Sequence, residues 1–117
     1  MSTRDMSTQK TDVPYGTLEL LILKTLATMG PLHGYSLARR IEQVSESALR
    51  LSQGSIYPAL VRLEQQGWIG TKWGVSETNR KVKVYSLTET GVRQLRVAVE
   101  TWEQATALVA RFLGAKV

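Results

Sequence analysis

Few side chains in this chain could do chemistry. It holds one histidine, His33, and no cysteine, which excludes a thiol nucleophile, a disulfide and a thiolate metal site. A Ser-His-Asp triad would have to use His33, and no Gly-x-Ser-x-Gly elbow precedes a helix. No Gly-x4-Gly-Lys-[Ser/Thr] phosphate loop occurs. Gly67-Trp68-Ile69-Gly70 has the outline of a GXXG nucleic-acid loop, but its bulky apolar middle residues suit a helix stop followed by a strand better. His33, beside Gly34 and without co-ligands, reads as a turn or helix-start residue. No catalytic residue, metal site or cofactor is expected, and the chain is not expected to be an enzyme.

Positive charge is what the sequence concentrates. The 117 residues carry 15 Lys and Arg against 10 Asp and Glu, a net charge of +5. Within residues 67–87 the cations Lys72, Arg80, Lys81 and Lys83 stand against the single anion Glu77. Elsewhere the charges nearly balance. A localised basic element points to a polyanionic partner. Hydrophobic residues make up 43% and charged residues 21%, the balance of a globular domain. Area scaling would take about two-thirds of the unfolded surface out of water at this size. No apolar run approaches the ~20 residues that span a bilayer. The polar residues 1–14 predict a disordered lead with no signal peptide, and the lack of cysteine makes a cytoplasmic setting the expectation.

Periodicity shows which elements must hold these cations. Leu18, Leu21, Ile22, Leu26 and Met29 fall at helical spacing, and Gly30-Pro31 stops the run, giving a first helix over Thr17–Met29. A second helix from about Gly34 to Ser45 turns Leu37, Ala38, Ile41 and Val44 inward and leaves Arg39, Arg40 and Glu42 outside that stripe. A third runs to Gln66 and stops at Gly67. Pro58 is comfortable only in a first turn, which favours Ser55 as its N-cap; a start at Ser52 needs a kinked or 3₁₀ opening. The period then changes to two through Ile69, Thr71, Trp73 and Val75. After the turn Ser76-Glu77-Thr78-Asn79 comes Arg80–Leu87, so the pair predicts a hairpin. Thr88 reads as the N-cap of a fourth helix.

Three short helices followed by a hairpin is the winged helix-turn-helix order, so the expected fold is mainly α with a small β hairpin. In that arrangement the third helix enters the major groove and residues 67–87 form the wing. Arg80, Lys81 and Lys83 near its tip are placed to sit against phosphates. The competing reading of Lys81 and Lys83 is a strand edge protected by lysine. Trp68 reads as a wing-to-core anchor and Trp73 as a facing residue of the hairpin. Tyr35 is expected to pack between the first two helices, with a hydroxyl–phosphate contact as the alternative. The outer face of the third helix carries Tyr57 and Arg62. On the fourth helix, Val92, Leu95, Val99, Trp102, Thr106, Val109 and Leu113 are spaced alternately by three and four, a heptad seam with one polar interruption. Over Thr88–Leu113 this helix would run about 39 Å, against about 29 Å for the domain before it. It must overhang, so a second chain should cover Leu95, Val99, Trp102, Thr106, Val109 and Leu113. The expected organisation is a lead over 1–14, a DNA-binding domain over 15–87 and a dimerisation helix over 88–117.

Several runs carry a family resemblance. Gly16-Thr17-Leu18-Glu19-Leu20-Leu21-Ile22-Leu23 with His33-Gly34-Tyr35, Gly54-Ser55-Ile56-Tyr57-Pro58-Ala59-Leu60 with Arg62-Leu63-Glu64, and Tyr85-Ser86-Leu87-Thr88 with Gly91 together resemble PadR-type transcriptional regulators. The resemblance is closest to short members with a single C-terminal helix. One departure is visible: many relatives carry a tyrosine where this chain has Val84. The resemblance implies a homodimeric repressor on palindromic double-stranded DNA. It places Ser55, Tyr57 and Arg62 on the DNA-facing part of the third helix and Arg80 and Lys81 on the wing; Tyr35, Gln53 and Lys83 complete the candidate contacts. Some members of the family respond to phenolic or hydrophobic ligands. For Trp102 two readings stay open, packing in the dimer or a stacking wall for a small aromatic effector. Two other functions remain in view, a winged-helix adaptor for protein partners and a constitutive DNA binder without effector.

Overall fold

The computed structural model describes residues 16–114; the lead expected over 1–14 lies outside the described residues. Along the chain follow α1 (Thr17–Met29), β1 (Leu32–His33), α2 (Gly34–Val44), α3 (Gln53–Gln65), β2 (Ile69–Val75), β3 (Lys81–Leu87) and α4 (Glu89–Gly114). The core takes one stripe from each helix: Ile22, Leu23 and Leu26 of α1, Leu37 and Ile41 of α2, Ile56, Ala59, Leu60 and Leu63 of α3, and Leu95 of α4. Ile69 and Tyr85 close it from the sheet. Burying each leucine or isoleucine of this set contributes about 1.5–3 kcal/mol, and this is what fixes α3 against α1 and α2.

Local chemistry sets the joints. The positive φ of Gly30, 83°, ends α1, a backbone angle that glycine adopts without steric cost. α3 ends in a Schellman arrangement: the Trp68 N–H donates to Leu63 O (3.1 Å) and the Gly67 N–H to Glu64 O (2.9 Å), with Gly67 at φ 79°. The Thr88 hydroxyl accepts from the Gly91 N–H (3.0 Å) and donates to Gly67 O (2.7 Å). One side chain thereby caps α4 and ties it to the end of α3. Gly91 lies directly on the Trp68 carbonyl oxygen, where a Cβ would collide. Trp68 is half-buried against the core, as its reading as a wing anchor required.

Three differences from the sequence-based expectation stand out. α3 begins at Gln53 with Ser52 as N-cap, not at Ser55. Both the Ser55 and the Ile56 N–H donate to Ser52 O at 3.0 Å, so the opening turn has partial 3₁₀ character, and Pro58 sits inside the helix. The sheet has three strands in the order β1-β3-β2, because Leu32 and His33 pair with Tyr85 and Val84. Finally, Leu95 was expected to face a second chain, yet it is 9% exposed within its own core, with Val99 packed partly beside it. Leu95 is thus buried on the chain's own domain, while Val92, one turn before it in the seam, stays exposed. Only from residue 100 onward is every described side chain of α4 exposed.

Candidate nucleic-acid interface

The β2–β3 hairpin projects from the core as a wing. Its register sets Trp73 opposite Lys83 and Val75 opposite Lys81. Residues 76–80 close it: the Ser76 N–H donates to Arg80 O (2.8 Å), the Arg80 N–H to Ser76 Oγ (3.2 Å), and Asn79 takes φ 63°. Arg80 therefore belongs to the turn, one residue before the strand. Lys81 Nζ sits 5.2 Å from the centre of the Trp73 ring, within the range of a cation–π contact.

α2 is seated by His33, whose ring accepts from the Ser36 N–H (3.4 Å) as its N-cap. This is the helix-start role expected of it. Across from α2, the Tyr57 ring of α3 lies on Gly34. A Cβ there would come within 2.7 Å of the Tyr57 hydroxyl oxygen, so Gly34 lets α2 and α3 approach closely. Tyr35 does not pack between helices: it is 62% exposed, under the Arg39 guanidinium at 5.8 Å. At 100° per residue it lies on the far side of α2 from Leu37 and Ile41, which already fill the inward stripe.

Between α2, Tyr57 and the wing runs an open groove of about 970 Å³. Arg39 and Arg40 of α2 line one side and Arg80, Lys81 and Lys83 the other, with Glu77 the anion among them and Tyr35, Tyr57 and Trp73 as aromatics. A smaller hollow of about 470 Å³ between α2 and the start of α3 shares Tyr35, Arg39 and Tyr57 with it. Five of the sequence candidates, Tyr35, Tyr57, Arg80, Lys81 and Lys83, thus meet in one groove. Ser55 and Arg62 are not in it. The Ser55 hydroxyl lies 3.3 Å from that of Ser52. Arg62 donates from Nε (2.9 Å) and Nη2 (2.6 Å) to Glu19 of α1, not to Glu64, which instead accepts from the Thr71 hydroxyl (3.3 Å). The side chain of Gln53 lies outside the described residues. Arg39, Arg40 and Trp73 were not among the sequence candidates. Their signal was there in part, since both arginines fall off the apolar stripe of α2.

A groove lined by Arg39, Arg40, Arg80, Lys81 and Lys83 suits recognition of a polyanion. Comparison with known proteins agrees. Residues 22–97 match the transcriptional regulator PadR-like family. Among solved structures, a transcriptional regulator from Clostridium thermocellum is 26% identical, with a TM-score of 0.75 over 83% of this chain and 93% of its own. A PadR-like transcriptional regulator from Bacillus cereus is 28% identical, with a TM-score of 0.74 over 86% and 95%. An uncharacterized 37.1 kDa protein in a transposon of Streptomyces fradiae is 54% identical over 46 residues, which are 39% of this chain and only 12% of that protein.

Proposed function

The chain belongs to the PadR-like family of transcriptional regulators, and on that premise we propose that it acts as a homodimeric repressor on palindromic double-stranded DNA in the cytoplasm. The observation that carries this reading is the groove that gathers Arg39, Arg40, Arg80, Lys81 and Lys83 beside α3. Cations on two sides of a groove next to a protruding helix suit a duplex whose phosphates flank an occupied major groove. The exposed end of α4 supplies the second half. Paired through it, two chains would present two α3 helices, which need a separation of about 34 Å to enter successive turns of one face of the duplex.

Release would act through the dimer. A flat apolar ligand seated at Trp102, 46% exposed on α4, would shift the population toward dimers whose α3 helices are mis-spaced, provided it binds those dimers better. No helix among the described residues is long and apolar enough to cross a membrane, which accords with a regulator that reaches chromosomal DNA directly.

A gel shift against the DNA upstream of its own gene, at two salt concentrations, tests the reading. Binding should be retained against competitor DNA and should weaken steeply with salt. Absence of any duplex binding in dilute buffer would instead favour an adaptor for protein partners. Thermal shifts with planar aromatic compounds, repeated on Trp102→Ala, test the effector: stabilisation should appear with the parent chain and vanish with the variant.

A further inference from the structure

The register of the wing alternates its side chains between two faces. Ile69, Tyr85 and Leu87, at its base, share a face with Thr71, Trp73, Val75, Lys81 and Lys83. At the base that face is core: Ile69 and Tyr85 are buried. Toward the tip the same face runs past the core, and there Trp73 stands 62% and Val75 70% exposed. A strand end that only had to carry cations would have no use for an indole and a valine between them. An aromatic side chain buries about 150–250 Å² in full, and most of Trp73's share is still open, so a partner that closed over this face would gain from it.

Charge identifies the partner. Lys83 faces Trp73 directly across the strands, Lys81 lies diagonally with its ammonium 5.2 Å from the ring, and Arg80 follows in the turn. The cation–π contact orients the indole while leaving most of it open. An apolar wedge ringed by cations fits a nucleic-acid groove, where the cations meet the phosphate rims and the wedge meets sugars and base edges.

Resting on the duplex-binding reading above, we propose that Trp73 is a specificity-determining residue: its indole, backed by Val75, packs into the minor groove beside each half-site while Lys81 and Lys83 hold the flanking phosphates. The wing then does more than neutralise charge. It senses groove width and the ease with which a base step opens, a readout that depends on sequence without base hydrogen bonds.

The test uses the full-length chain and a duplex enriched by it from a randomised pool. Trp73→Ala should bind that duplex about tenfold more weakly, the order expected for loss of one good contact, with the same dependence on salt. Trp73→Phe should fall between. Lys81→Ala should instead lower the salt dependence. Exchanging a flexible pyrimidine–purine step beside the half-site for a stiff one should change the affinity of the parent chain and leave that of Trp73→Ala nearly unchanged. The tryptophan emission of the parent should be quenched by the duplex, and part of that quench should be missing in Trp73→Phe. Because Trp73 is exposed, circular dichroism should show both variants folded. Binding of Trp73→Ala within twofold of the parent overturns the proposal while leaving duplex binding intact. So does a larger loss on the matching single strand, which would make Trp73 a platform for unpaired bases. If the parent chain enriches no duplex at all, the premise fails and the proposal with it.

Discussion

The Arg62 guanidinium reaches back 43 residues to Glu19 and donates to one carboxylate oxygen from two nitrogens, which joins α3 to α1. The pair is half open to water on the arginine side, so it should contribute only about 0.2–1 kcal/mol to stability. That small figure makes its role separable. If Arg62 leaves Glu19 for a phosphate when DNA arrives, the carboxylate competes with the duplex. Glu19→Gln should then tighten duplex binding about two- to threefold, while Arg62→Ala loosens it about tenfold and costs no more than about 1 kcal/mol in urea melts. Equal weakening by both variants would make the arginine a tie between helices and nothing more. Tyr85 offers a second test on one side chain. Burial, then the neighbouring Tyr57 and Glu64, raise its phenol above the ordinary value near 10. In the unfolded chain the phenol ionises first, so above pH 10 the folded state holds the extra proton and stability falls as pH rises toward the folded value. Below pH 10 the contribution is complete. Melts between pH 8 and 11 should show a steeper decline for the parent than for Tyr85→Phe.

The wing is the element whose purpose is most directly measurable. Contacts to about eight phosphates per dimer would give a slope near −7 for log affinity against log salt. Lys81→Ala with Lys83→Ala removes two cations from each wing, so the slope should flatten by about 3–4 and all sequences should weaken alike; filter-binding titrations at four salt concentrations would read it. An unchanged slope removes the wing from the phosphate contacts. The elements themselves were largely legible in the sequence. α1 spans Thr17–Met29 as its apolar spacing and Gly30 predicted, and Thr88 caps α4 as read. Each of these limits is set by chemistry within four or five residues. What was not legible depends on distance. β1 has two residues and exists only because β3 lies beside it. Local rules leave the start of α3 open between Ser55, which Pro58 favours, and Ser52, where the structure sets it. The Arg62–Glu19 pair and the meeting of Arg39 and Arg40 with the wing join segments far apart in the chain, which no local pattern encodes. The wing cations stand out as a cluster, whereas the two arginines of α2 have Glu42 beside them on the same helix.

At the scale of the whole molecule the decisive feature is an imbalance along α4. Leu95 and Val99 pack on the domain, yet Trp102, Leu108, Val109, Phe112 and Leu113 are all exposed, the last two at 76% and 82%. The chain extends 58 Å along its longest axis against 36 and 22 Å across the others. Helix propensity alone would hold such an overhang poorly, because isolated helices of ~12–15 residues are marginal in water. A helix end of this composition is stabilised when its apolar stripe is covered, and a second α4 offers the same stripe to it by two-fold symmetry. Since Leu108 and Phe112 are exposed, Leu108→Glu with Phe112→Glu should leave the winged domain folded by circular dichroism. The parent chain should sediment as a dimer at micromolar concentration and the double variant as a monomer. Duplex affinity should fall by roughly two orders of magnitude or more, because two linked half-sites gain that much from effective concentration. A double variant that still sediments as a dimer would move the interface off the end of α4. A monomeric variant that binds the duplex as tightly as the parent would show that one winged domain suffices, and the palindromic operator would lose its physical basis.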